Sequence, residues 1–249
     1  FMGIFYLSKK KLNIVIITIV FLIVISIYLN NRNNMKIPTF KYSSNYFHNK
    51  TIVIDPGHGG VDAGAIRPDG LMEKDINLEI GKYLKELLDE SGANCIITRD
   101  KDIELSKLSN IKDTRVRRDL NARVNIIDDN KADLFVSIHI NSFPKDKSIK
   151  GPIAFYYTQS EHSKELAGFI QKRLNDEFNK HYRHKKSNKP TGGTYYILRN
   201  TKSPGVIVEN GFISNDEDYN LLKKDKFRYS IAYQIYLALG EYLNKDVNQ

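Results

Sequence analysis

From Thr51 onward the sequence switches repeatedly between two hydrophobic periods, and that switching restricts its fold more than any other feature. Thr51–Asp55 (TIVID) is a short apolar run ending in Pro-Gly-His-Gly-Gly, the pattern of a strand entering a tight loop. From Glu73, apolar residues recur at helical spacing through Ile76, Ile80, Tyr83, Leu84, Leu87 and Leu88, and Gly92 stands just beyond as a stop. Asn94–Thr98 (NCIIT) predicts a second strand. Val116, Leu120, Val124 and Ile127 mark a second helix, and Asp133–Ile140 (DLFVSIHI) a third strand. A fourth strand is predicted over Ile153–Thr158 and a helix over about 161–179. Strands over Tyr195–Leu198 and Val206–Glu209 then precede a helix over about 227–243. Short strands alternating with helices define an α/β class: one domain with a mainly parallel twisted sheet flanked by helices.

The N-terminal part reads differently. Lys9-Lys10-Lys11 precedes Leu12–Leu29, LNIVIITIVFLIVISIYL, which carries no charge. Eighteen helical residues rise about 27 Å, close to the hydrocarbon thickness of a bilayer. The segment is apolar all round instead of along one stripe, which disfavours a buried core helix. The lysines would stay cytoplasmic and place the remainder outside. No small-x-small site follows the run, so it reads as an uncleaved signal anchor. The expected organisation is a cytoplasmic stub and transmembrane helix over 1–29, a polar Asn-rich linker over 30–50, and a catalytic body over 51–249.

Charge supports this division. The chain has 38 basic and 29 acidic residues, but residues 1–50 hold seven basic and no acidic ones. The remaining 31 basic residues face 29 acidic ones, so the body is nearly neutral and lacks a nucleic-acid footprint. The single cysteine, Cys95, excludes an intrachain disulfide framework and a thiolate-rich zinc finger, and it reads as a buried inert thiol. GHGGVDAG does not match the dinucleotide-binding pattern GxGxxG.

In parallel α/β sheets, ligands bind outside the carboxyl ends of the strands. His58 lies just past the first predicted strand, His139 near the end of DLFVSIHI, Glu209 at the end of VIVE, and Glu73 at the start of the first long helix. Two imidazoles and a carboxylate around an open position form a catalytic zinc arrangement, and a further carboxylate beside the water serves as general base. Each residue also has an ordinary reading. Glu73 could be a helix N-terminal acid, His139 a hydrogen-bonded core residue, and His58 a turn residue. A carboxylate at Glu209, ending an apolar strand, is costly unless paired or functional. His181 and His184, among Lys and Arg in HYRHKK, read as an exposed face, and Tyr156, Tyr157, Tyr195 and Tyr196 as core or cleft lining.

TIVIDPGHGGVDAGA (51–65), the Glu73 helix start, ADLFVSIHINSF (132–143) and YILRNTKSPGVIVENGFISN (196–215) together resemble the zinc-dependent N-acetylmuramoyl-L-alanine amidases of the third amidase family. The resemblance runs from residue 51 to about 243, with four motifs in order. It implies zinc ligands at His58, Glu73 and His139, a catalytic glutamate at Glu209, and site-shaping positions at Asn141-Ser142 and Asn210-Gly211-Phe212. The implied reaction cuts the amide joining N-acetylmuramic acid to the L-alanine of the peptidoglycan stem peptide. The compact anchored layout is most similar to the family's spore-cortex branch. That branch implies the first step of muramic-δ-lactam formation, a role in germination, a site facing the cortex in the forespore intermembrane space, and possible activation by a lipoprotein. TRVRRDLNARVNIID departs from the usual pattern of a single Arg after a Ser-Leu pair, which leaves the roles of Arg117, Arg118 and Arg123 open. A non-catalytic peptidoglycan-binding protein and a zinc hydrolase of another wall peptide bond are the alternative readings.

Overall fold

The computed structural model describes residues 9–33 and 46–245, and the chain divides into two compact units, Phe1–Tyr42 and Ser43–Gln249. The described part of the first unit is one helix, α1 (Lys9–Asn33). Four consecutive residues, Ile14 to Ile17, point to all sides of that helix, and all four are exposed. The side chains described in α1 are Lys10, Lys11 and residues 13–26, a shorter stretch than Leu12–Leu29. Among the described residues no helix is long and apolar enough to cross a membrane.

The second unit is built on six strands: β1 (Thr51–Pro56), β2 (Asn94–Ile97), β3 (Leu134–Asn141), β4 (Ile153–Tyr157), β5 (Thr191–Gly193) and β6 (Gly205–Phe212). Their order across the sheet is β2-β1-β3-β6-β4-β5. Strands β2, β1, β3 and β6 run parallel, β4 is antiparallel to β6, and β5 is parallel to β4. The sheet is therefore mixed, a parallel core with a reversed edge. The reversal follows from the link between β3 and β4: residues 142–152 contain no helix, whereas a parallel crossover usually needs one.

Six helices cover the sheet: α2 (Glu73–Glu90), α3 (Arg115–Asp129), α4 (Glu161–Asn179), α5 (Tyr196–Asn200), α6 (Asp216–Leu222) and α7 (Asp225–Asn244). The two-residue period of a strand sorts its side chains between two layers. Ile52, Ile54, Leu134, Val136, Ile138, Val206 and Val208 face one side and pack with α2, α4 and α7. Val53, Phe135 and Ile207 face the other, against Val124 and Ile127 of α3 and Ile197 and Leu198 of α5. On α2 the apolar stripe Ile76, Ile80, Leu84, Leu87 and Leu88 is fully buried. At about 1.5–3 kcal/mol per large apolar side chain, such stripes dominate the stability of the unit.

Two expectations need correction, and one helix comes without an expectation. Tyr195–Leu198 is not a strand: Tyr196–Asn200 is the short helix α5, and the edge strand is Thr191–Gly193. Ile197 and Leu198 are adjacent in sequence and both buried, which one face of a strand cannot provide. Thr191–Gly193 has no apolar side chain to betray it and is held by pairing with β4. Helix α6 was not predicted; its N-cap Asn215 accepts from the backbone N–H of Asp218. Phe47, inside the expected linker, is fully buried and stacks on Tyr236 at 5.1 Å, so the compact unit starts before Thr51.

Candidate active site

The parity that sorts the core also collects the polar groups. Asp55 on β1, Ser137 and His139 on β3, and Glu209 on β6 all have odd numbers and share the face carrying α3 and α5. His139 and Glu209 are register partners on neighbouring strands. The β3–β6 register shifts between His139 and Asn141, so that Phe212 lies opposite Asn141. Such a bulge bends the strand and re-aims side chains at a sheet end. Asn210 secures it by donating from Nδ2 to the His139 and Val208 carbonyls, at 3.1 and 3.0 Å.

Glu73, the first residue of α2, is buried and lies between the two histidines. Its Oε1 is 3.0 Å from His58 Nε2 and 3.1 Å from His139 Nδ1. Oε1 also accepts from the backbone N–H of Ile140, and Oε2 from that of Ala65. Burial raises the Glu73 pKa, but the two histidines outweigh it and hold the carboxyl well below its usual range. Burial likewise opposes the charged form of His58, and Glu73 and Asp62 overcome it, leaving its pKa at about 9. Asp62 Oδ2 lies 3.0 Å from His58 Nδ1. The ligand-capable atoms of His58, Glu73 and His139 all fall within 4.8 Å of one another.

Glu209 stands beside this trio in a different state. Its Oε2 is buried and accepts no hydrogen bond. Burial comes first in pushing its pKa up to about 7; Glu73 adds to the rise, while His139 and His58 oppose it. A carboxylate poised near neutrality beside ligand-capable groups is suited to exchanging a proton. The cavity at the site measures about 130 Å³ and is lined by His58, Asp62, His139 and residues of α3.

Tertiary contacts bring in a set of groups that sequence reasoning left without a role. Asp55 accepts from Thr98 Oγ1 at 2.7 Å, Ser137 Oγ at 2.7 Å and Arg123 Nη1 at 2.6 Å. Burial alone would raise the Asp55 pKa; the Arg123 charge and these hydrogen bonds lower it instead. Arg123 also donates to the carbonyls of Pro56 and His58, and Arg99 to those of Pro56 and Gly57. Two buried guanidiniums thus clamp three successive carbonyls of the loop that presents His58. The clamp matters because His58 has φ 62°, a conformation that costs a non-glycine residue free energy and persists only where its surroundings impose it. One signal was available. Arg123 sits on the apolar stripe of α3, three residues after Leu120 and four before Ile127, where a charged residue demands a buried partner.

The other sequence readings fall as follows. Asn141 Oδ1 accepts from the N–H of Ser142, and the Asn141 carbonyl from that of Ile213, joining the two site-shaping segments. Cys95 is buried and its thiol is pushed up to about 12 by burial, as an inert thiol requires. His181 points to Glu177 at 3.8 Å, and among the described residues His58, Glu73 and His139 are the one group able to hold a metal.

The family model for N-acetylmuramoyl-L-alanine amidase matches residues 52–241. The germination-specific N-acetylmuramoyl-L-alanine amidase of Bacillus subtilis (strain 168) is 34% identical over 197 residues, covering 79% of this chain and 81% of that protein. The CwlD amidase from Clostridioides difficile, solved in complex with the GerS lipoprotein, matches with a TM-score of 0.70 and 38% identity over 79% of this chain and 99% of that one. AmiC2 of Nostoc punctiforme matches with a TM-score of 0.65 and 29% identity over 79% and 98%. The chain belongs to the N-acetylmuramoyl-L-alanine amidase family, enzymes that act on peptidoglycan. Within that family it is a CwlD-like amidase.

Proposed function

We propose that this chain hydrolyses the amide between N-acetylmuramic acid and L-alanine with a zinc ion held by His58, Glu73 and His139 and with Glu209 as general base. The observation that carries the reading is a buried, unpaired carboxylate oxygen on Glu209 beside three convergent ligand atoms. Two imidazoles and one carboxylate are a donor set suited to catalytic zinc. Two glycines let the ligand side chains pack against the backbone. A Cβ at Gly57 would come within 2.2 Å of the His139 ring, and one at Gly64 within 2.5 Å of Glu73 Oε2. Zinc bound in such a site polarises a carbonyl and lowers the pKa of a water towards about 7. Glu209 takes the proton from the attacking water and returns it to the departing alanine amine. Asp62, beside His58 Nδ1, fixes that ring's orientation, as outer partners of metal-binding histidines do. Arg123 and Arg99 hold the loop from which His58 projects.

The same proposal extends to the cell. The resemblance to the germination-specific enzyme supports a role in the first step of muramic-δ-lactam formation in spore cortex. The GerS complex of the CwlD amidase supports a lipoprotein partner here too. The uncharged sequence Leu12–Leu29 within helix α1, with exposed apolar side chains at Ile14–Ile17 and Ile19–Ile25, supports a membrane anchor with the amidase outside the cytoplasm.

Purified protein incubated with peptidoglycan after chelation, with and without zinc restored, tests the chemistry. The expected result is release of stem peptides bearing an L-alanine N-terminus, seen by mass spectrometry, only when zinc is restored. Cleavage within the stem would redirect the proposal to another wall amide. Release that persists after chelation would remove zinc from it.

A further inference from the structure

The amide that this enzyme cuts joins two chemically different halves. The sugar half presents hydroxyl and acetamido groups without charge, and the peptide half carries free carboxylates. One groove beside the candidate metal site carries groups suited to the second kind. A groove of about 360 Å³ lies between α3 and α5, with Arg117, Tyr196 and Arg199 in its wall. It adjoins the cavity at His58 and His139, since Val116 and Leu120 line both. These two residues are one helical turn apart, about 6 Å along α3.

The two guanidiniums in the groove are available. Arg117 stacks over the Tyr196 ring at 4.4 Å, which orients its planar fork, and its ion pair with Asp113 is long, at 4.0 Å. Arg199 is exposed, and among the described residues its side chain has no hydrogen-bond or ion-pair partner. They differ from Arg123 and Arg99, whose donors are engaged by carboxylates and carbonyls inside the fold.

We propose that the α3–α5 groove seats the stem peptide, with Arg117 and Arg199 pairing with its free carboxylates. This rests on the reading that the scissile amide lies at His58, His139 and Glu209. An extended peptide leaving that point advances about 3.4 Å per residue, so the second and third stem residues lie about 7–10 Å away. That distance carries them past Leu120 and Val116 into the groove. The substrate is thereby oriented: peptide along α3 and α5, glycan on the opposite side of the metal site.

The test uses the full chain as wild type, Arg117→Gln, Arg199→Gln and the double variant. Binding is measured with two free stem tripeptides, one with D-glutamate at its second position and one with D-isoglutamine, which lacks that carboxylate. The double variant is expected to bind the glutamate peptide about three- to tenfold more weakly, as two exposed charge pairs allow, while the isoglutamine peptide changes less. On intact muropeptides KM rises by a similar factor, with kcat and zinc content unchanged. Equal weakening towards both peptides, unchanged binding of both, or a loss in kcat alone would overturn the proposal, as would wild type binding neither peptide. Because binding needs no turnover, failure of wild type to cleave peptidoglycan would count against the metal-centre reading and leave this measurement decisive.

Discussion

The two faces of the central sheet share the same strands but are packed by different physics. On one face, Ile52, Ile54, Val136, Ile138, Val206 and Val208 meet α2, α4 and α7 in an apolar layer. On the other, a smaller apolar patch around Val53, Phe135 and Ile207 gives way towards the strand ends to Asp55, Arg123, Ser137, His139 and Glu209. The apolar layer gains stability in proportion to buried area and tolerates changes that keep its volume. The polar face depends on complete pairing, since each buried charge is favourable only while its partners remain. Glu209 departs from this rule with one buried carboxylate oxygen left unpaired, which is why the proposed chemistry is assigned to it.

The largest expected effect separates two residues within the polar face. Glu209→Gln should lower kcat by about 10²–10⁴-fold or more while zinc stays bound, whereas His58→Ala should lose both metal and turnover. Metal analysis beside stem-peptide release distinguishes the two. Zinc retained in His58→Ala but lost from Glu209→Gln would reverse the assigned roles.

Next comes the buried ion pair. Arg123→Met strands the Asp55 charge and should destabilise the fold by about 3–5 kcal/mol in denaturant unfolding. Adding Asp55→Asn should recover part of that loss, which a double-mutant cycle measures. Additive single effects would show that the two side chains act independently.

On the opposite face, Leu84→Ala should cost about 2–5 kcal/mol through its cavity and leave zinc affinity and KM unchanged in the folded protein. A change in zinc affinity of the folded variant would break the division between the faces.

The smallest effects are in pH dependence and carry opposite signs. Asp55 is held below its ordinary value, so its contribution is complete above about pH 4 and fades as pH falls through its lowered native value. Glu209 is raised to about 7, so in the metal-free protein its ionisation costs stability as pH rises from about 4.3 towards 7 and beyond. Metal-free Glu209→Gln should therefore melt above metal-free wild type at pH 8, with the gap closing below about pH 4.3. A gap independent of pH would mean that Glu209 titrates alike in the folded and unfolded chains.

Much of this molecule was legible in the sequence because hydrophobic periodicity is a local property. The stripe of α2, the run DLFVSIHI and the span of α4 each carry their own signal, and the motifs around His58, Glu73, His139 and Glu209 stand at strand and helix ends where an α/β sheet binds ligands. Local pattern was insufficient at Tyr195–Leu198, since neighbouring apolar residues suit either a strand or a single helical turn. Burial of both Ile197 and Leu198 against α3 and β6 decided for the turn. It was also silent about Thr191–Gly193, which is a strand only because β4 is beside it. The clamp of Arg99 and Arg123 on the His58 loop lay beyond sequence reasoning for the same reason. Those guanidiniums meet carbonyls more than 40 residues away in the chain, and a partner at that distance exists only once the sheet has closed. The sequence determined which residues could do the chemistry, through their types and their places at element ends. The tertiary structure decided their state: it crowded three ligand-capable atoms together, imposed a left-handed backbone on His58, and desolvated Glu209, because proximity and burial are properties of the packed molecule.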